Sequence, residues 1–178
     1  QTCALPLWYF ERITRLGSEG EVEMYAGPFV DGPRVHEDWP AVRDSVRAAL
    51  ERDRPDVVVN PAAYRDVDAS QQYPDRAFHV NAVGPSILAE ATAARSIPLL
   101  HISTDYVFDG KKSGAYLEGD PVRPLGIYGR SKEAGEAVIR DNTEKYIIFR
   151  TSWVYAAHGN NFLRTMMRLA NERSELNI

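Results

Sequence analysis

The sequence predicts an α/β protein built as a Rossmann-like, doubly wound parallel sheet. Three observations predict it. Apolar, β-branched runs at 56–60, 98–103 and 146–151 are too short for helices. Segments with helical spacing of apolar residues separate them. Strands that alternate with helices imply crossover connections, and so parallel pairing with helices over both sheet faces.

The elements can be justified in order. Leu7 to Leu16 reads as a short helix and Glu21 to Ala26, alternating polar and apolar, as a strand. Gly27, Pro28, Gly32 and Pro33 mark a loop. Asp38 is placed to N-cap a helix with Pro40 in its first turn. Val42, Val46 and Leu50 form that helix's apolar face, and Arg52 to Pro55 ends it. The first buried strand is Asp56 to Asn60. A helix from about Pro74 to Arg95 leads to the second strand, Pro98 to Ser103. A long loop, Thr104 to Ile127, precedes a helix from Tyr128 to Asn142 and the third strand, Tyr146 to Thr151. Asn160 to Arg173 reads as the last helix, with Phe162, Met166 and Leu169 on one face, and Leu176 to Ile178 as the start of another strand.

Composition narrows the function. The chain has 178 residues, a net charge of −4, 44% hydrophobic and 26% charged residues. These values fit one globular domain over 1–178, with 1–35 divergent, and give no electrostatic reason to expect nucleic acid or an anionic membrane as partner. No apolar run approaches the ~20 residues of a membrane span. A single cysteine, Cys3, cannot form an internal disulfide, which favours a cytoplasmic setting. His36, His79, His101 and His158 have no metal-ligand spacing with one another or with Cys3, so no metal site is expected.

In an open α/β sheet, ligands bind beyond the carboxyl ends of the strands. Here those ends carry Asn60, Pro61, Ala62, Ala63 and Tyr64; then Ser103, Thr104, Asp105 and Tyr106; then Thr151, Ser152, Trp153 and Tyr155. Small residues such as Ala62 and Ala63 admit a flat ligand or serve close packing equally well. The sharpest constellation is Tyr128-Gly129-Arg130-Ser131-Lys132. Residues four apart share a helix face. An ammonium beside a phenol lowers its pKa from about 10. Tyr128 then becomes a usable general acid or base, with Ser103 or Thr104 near enough to hold a carbonyl oxygen.

RPDVVVNPAAY from Arg54, STDYVFDG from Ser103, YGRSK from Tyr128, RTSWVY from Arg150 and GNNF from Gly159, in this order, make residues 54–178 resemble the extended short-chain dehydrogenase/reductases, on the branch that reduces keto nucleotide sugars. The resemblance implies hydride transfer from NADPH or NADH to the C4 carbonyl of dTDP-4-dehydro-L-rhamnose, giving dTDP-L-rhamnose. By the same resemblance Tyr128 donates the proton, Lys132 lowers the tyrosine pKa and binds the nicotinamide ribose, and Thr104 hydrogen-bonds the carbonyl oxygen. Ala62, Ala63, Tyr64, Ser103 and Ser152 would line the cofactor. Tyr106, Trp153 and Asn161 would contact the sugar. Asn81 matches a family asparagine near the active-site lysine, and equally reads as a polar helix residue facing solvent or a neighbouring turn. The family often pairs subunits, implying a homodimer, and resembles a magnesium-using group, although no magnesium ligand can be assigned. Related dehydratases carry Asp-Glu where this chain has Asp105-Tyr106, which favours reduction over dehydration.

The chain departs from the family twice. It contains no Gly-x-x-Gly-x-x-Gly turn to cradle a pyrophosphate, and its N-terminal strand is not recognisable. The family's C-terminal sugar-binding lobe is missing, so the chain reads as a piece of a longer polypeptide. The missing turn leaves open a non-catalytic binding or regulatory module on the same scaffold, and an epimerase or another keto-sugar reductase also stands. Among the remaining residues, Asp66 and Asp68 read as solvated loop carboxylates and Glu133 and Glu136 as solvent-facing partners of Lys132 or Arg140. Met166 and Met167 read as core filler, and Trp8 and Trp39 as packing anchors or an exposed interface.

Overall fold

The structure is a computed structural model that describes residues 39–157, 161–173 and 175. The elements expected at 7–16, 21–26 and 176–178, the glycines at 17, 20, 27 and 32, and Asp38, Cys3, Trp8, His36 and His158 lie outside the described residues.

Three parallel strands form one sheet in the order β1 (Val58–Asn60), β2 (Leu99–Thr104), β3 (Tyr146–Thr151). Val58 pairs with Leu99, which pairs with Tyr146, and Thr104 pairs with Thr151. β2 and β3 therefore end at the same level. Side chains alternate across a strand, so Val58, Asn60, Leu99, His101, Ser103, Ile148 and Arg150 share one face. Helices α1 (Trp39–Asp53), α4 (Gly84–Ala93) and α5 (Ile127–Asn142) pack on that face. The core there is Leu50, Val58, Ala89, Ala91, Leu99 and Ile139, flanked by Val46, Ala49, Leu88, Ile97 and Ile148. On the opposite face, Ile147 and Phe149 are exposed among the described residues.

The segment expected as one helix over 74–95 is interrupted. Before it, in a stretch expected as loop, lies α2 (Val67–Gln72), N-capped by Asp66, whose Oδ1 accepts from the Ala69 N–H at 2.8 Å. Asp66 and Asp68 are both exposed, as read, and Asp66 caps the helix whose first turn holds Asp68. α3 (Pro74–Phe78) then widens into a π turn over His79–Val83 before α4 begins. The cause is Pro85, which has no N–H to donate and whose ring crowds the carbonyl four residues back. That carbonyl belongs to Asn81.

α6 (Phe162–Glu172) is strongly amphipathic, yet none of its residues is buried. Met167 is 61% exposed, so it is not core filler, and Met166 is half-buried. Trp39 stacks on His79 with ring centroids 5.7 Å apart, which makes it a packing anchor. No described helix is long and apolar enough to cross a membrane.

Candidate active site

The site gathers where β1 and β2 end and α5 begins. β2 runs straight into a 3₁₀ turn, Asp105–Val107, capped by Thr104, whose Oγ1 accepts from the Tyr106 N–H at 3.2 Å and whose hydroxyl donates to Asp105 Oδ1 at 3.1 Å. α5 lies close against this turn because Gly129 has no side chain. A Cβ there would collide with the Tyr106 carbonyl oxygen. This contact brings the Tyr106 ring edge-on to Tyr128, with centroids 5.5 Å apart at 75°.

Tyr128 is half-buried, and burial pushes its phenol above the ordinary value. The Thr104 hydroxyl opposes that shift, Asp105 and Tyr106 reinforce it, and Arg65 weakly opposes it. Thr104 and Tyr128 are thus brought together as expected. The expected acidification of Tyr128 by Lys132 is not present: the phenol is raised, and the lysine is not among the groups that act on it. Lys132 is instead 1% exposed and turned under the strand, its Nζ donating to the Ile102 carbonyl at 2.7 Å and lying 3.3 Å from His101 Nε2. Burial pulls its pKa down to about 8, although the Glu136 carboxylate favours the charged form.

Asn81 is fully buried and does not face solvent. Its Oδ1 accepts from the Tyr64 N–H at 2.8 Å, and its Nδ2 donates to the Tyr64 carbonyl at 3.0 Å and to Ser131 Oγ at 2.9 Å. The asparagine so clamps the loop Pro61-Ala62-Ala63-Tyr64 to α5. The π turn makes this reach possible, and Gly135 lets α5 come against it, since a Cβ there would strike the Asn81 carbonyl oxygen. Ala62 and the Tyr64 side chain are buried and Ala63 is half-buried, with the Arg76 guanidinium 5.4 Å from the Tyr64 ring centre.

Other sequence-derived residues fall differently. The Ser103 hydroxyl does not open onto the strand end. It points to the helix-covered face and donates to Glu136 Oε1 at 2.6 Å. Glu136 itself is fully buried, not solvent-facing, and accepts from Arg150 Nη2 at 2.6 Å and Arg140 Nη1 at 3.1 Å. These partners hold its carboxyl below the ordinary range against the effect of burial. Glu133 is the more exposed partner of Arg140 at 3.3 Å. Beyond β3, Ser152 is exposed and Trp153 is 71% exposed with φ +54°, a left-handed backbone that costs a non-glycine residue energy. Trp153 meets Phe162 edge-on at 4.7 Å. Asn161 caps α6, accepting from the Arg164 N–H at 3.1 Å and donating to the Ala156 carbonyl at 2.8 Å.

Sequence reasoning missed three buried polar residues, Asn60, His101 and Glu136. The signal was present: His101 shares a strand face with Leu99 and Ser103, and Glu136 lies one turn beyond Lys132 on the same side of α5.

For the cofactor, the described residues offer small side chains at Ala62 and Ala63 and the Tyr128 phenol, which suit the nicotinamide end. The chain has no glycine turn for the pyrophosphate.

Residues 29–178 match the family model described as RmlD substrate binding domain. Curated relatives include a dTDP-4-dehydrorhamnose reductase of Sinorhizobium fredii, 44% identical over 138 residues, 78% of this chain and 47% of the relative. The reductase of the same name from Escherichia coli strain K12 is 46% identical over 69% of this chain and 41% of its own length. Among solved structures, the Bacillus anthracis dTDP-4-dehydrorhamnose reductase in complex with NADP aligns with a TM-score of 0.72 at 40% identity, over 75% of this chain and 48% of that one. The chain thus spans just under half the length of the curated relatives it matches.

Proposed function

Because the chain belongs to the RmlD substrate-binding-domain family, we propose that it carries the proton-transfer centre of an NADPH-dependent reductase acting on the C4 ketone of dTDP-4-dehydro-L-rhamnose. The observation that carries the reading is Tyr128 held with Thr104 at the end of β2 by the close approach of Gly129.

The chemistry that NADPH or NADH supplies when bound is a hydride to the carbonyl carbon. The chain supplies the rest. Tyr128, kept protonated by its buried setting, donates its proton to the carbonyl oxygen as negative charge gathers there. Thr104 turns its hydroxyl to the same oxygen and stabilises that charge. Lys132 would steady the phenolate that remains and hold the nicotinamide ribose, and Ala62, Ala63, Tyr64 and Ser152 would border the cofactor. Tyr106 and the outward-turned Trp153 flank the sugar, with Asn161 beyond them. The active protein is read as a cytoplasmic homodimer.

Turnover of the keto sugar by the chain and by Tyr128→Phe tests this. The variant keeps its circular dichroism and loses about 10²–10⁴-fold in kcat. Retention of more than about a tenth of the rate contradicts a proton-donating role.

A further inference from the structure

The helix-covered face of the sheet holds a polar chain that the reaction leaves unexplained. The Ala62 N–H donates to Asn60 Oδ1 at 3.1 Å. This bond orients the amide, so Asn60 Nδ2 is the group that faces His101 Nδ1, at 3.0 Å, and it donates there. An imidazole nitrogen that accepts a hydrogen bond carries no proton of its own. Neutral His101 therefore bears its hydrogen on Nε2, which lies 3.3 Å from Lys132 Nζ. His101 is fully buried, and burial, the larger cause, holds its pKa well below the ordinary imidazole value, so the ring is neutral at any working pH. An N–H aimed at an ammonium sets donor against donor. Aimed at an uncharged amine, it meets a lone pair, and the amine still has hydrogens for the Ile102 carbonyl at 2.7 Å.

We propose that Asn60 and His101 are positioning residues that form a parking site for uncharged Lys132, with the Nε2–H donating to the amine, and that protonation of Nζ releases the lysine to Tyr128, one helical turn back. The inference rests on the reading that Lys132 serves Tyr128, and it accounts for a lysine that in this structure does not act on that phenol.

The surrounding charges do not replace this control. Glu136, on the same helix, favours the charged lysine but is itself engaged by Arg150 from β3, Arg140 and Ser103. Asp105 and Tyr106 of the 3₁₀ turn act on Tyr128, and Asp66 and Arg76 act on Tyr64. On the π-turn side, Asn81 and Ser131 are uncharged and bonded to each other.

Two measurements on the substrate-free chain decide the matter. Long-range ¹H–¹⁵N spectra of the histidine rings read the tautomer directly. His101 is expected with hydrogen on Nε2, and hydrogen on Nδ1 overturns the proposal. Next, the ¹³Cε shift of Lys132 is titrated in the wild-type chain and in His101→Phe, which removes the Nε2–H donor from the uncharged amine without adding a charge. The lysine pKa is expected to rise by about one unit or more. An unchanged or lower value shows that burial alone sets the lysine and overturns the proposal. The tautomer reading needs no variant to fold, and neither reading depends on whether the chain turns over NADPH.

Discussion

Replacing Lys132 with methionine should stabilise the fold. The lysine is 1% exposed, and its pKa falls from 10.5 to about 8, chiefly through burial. The folded value lies below the unfolded one, so the folded chain holds the proton less tightly. The resulting penalty is fully present below about pH 8 and fades as pH rises through 10.5. At 1.36 kcal/mol per pH unit, the shift corresponds to about 3 kcal/mol. Methionine fits the same unbranched slot, but it gives up the hydrogen bond to the Ile102 carbonyl, which costs about 1–2 kcal/mol. A net gain of about 1–2 kcal/mol is expected from urea unfolding at about pH 7, shrinking toward zero or below at about pH 10. A variant less stable than the parent by more than about 1 kcal/mol at the lower pH would refute the reasoning, because the ammonium would then be well paired in the folded chain.

Two further outcomes follow from the packing around the same helix. Glu136→Gln strands the Arg150 guanidinium, and denaturant unfolding should report a loss of about 3–5 kcal/mol near neutral pH. Because the Glu136 carboxyl sits below its ordinary value when folded, its contribution is present above the unfolded carboxylate range and is lost as pH falls through the folded value, so the difference between variant and parent should narrow in acid. Gly135→Ala forces a methyl onto the Asn81 carbonyl, and thermal unfolding should show a loss of about 1–3 kcal/mol, where an ordinary exposed helix position would gain from alanine.

How much of this was legible in the sequence depended on how local each signal was. The strand at 146–151 was read at its observed bounds, because consecutive apolar residues between Thr143 and Ser152 leave little choice of register. The helix bearing Tyr128 and Lys132 was likewise legible from its spacing. The π turn at 79–83 was not, because it arises from Pro85 acting on a carbonyl four residues earlier within a pattern that otherwise reads as continuous helix. The direction of Lys132 was also hidden. Sequence spacing puts two residues on one helix face, but it does not say that His101 and the Ile102 carbonyl of another element will claim the amine. Glu136 shows the same limit. It was assigned to solvent because carboxylates usually are, whereas Ser103 and Arg150, each from a different strand, bury it.

The central claim is that this chain brings a ketone-reducing centre to a nicotinamide cofactor, and the most direct test is a fluorescence titration of the chain with NADPH. Saturable binding in the micromolar range is the predicted result. No change in fluorescence up to millimolar cofactor would contradict it.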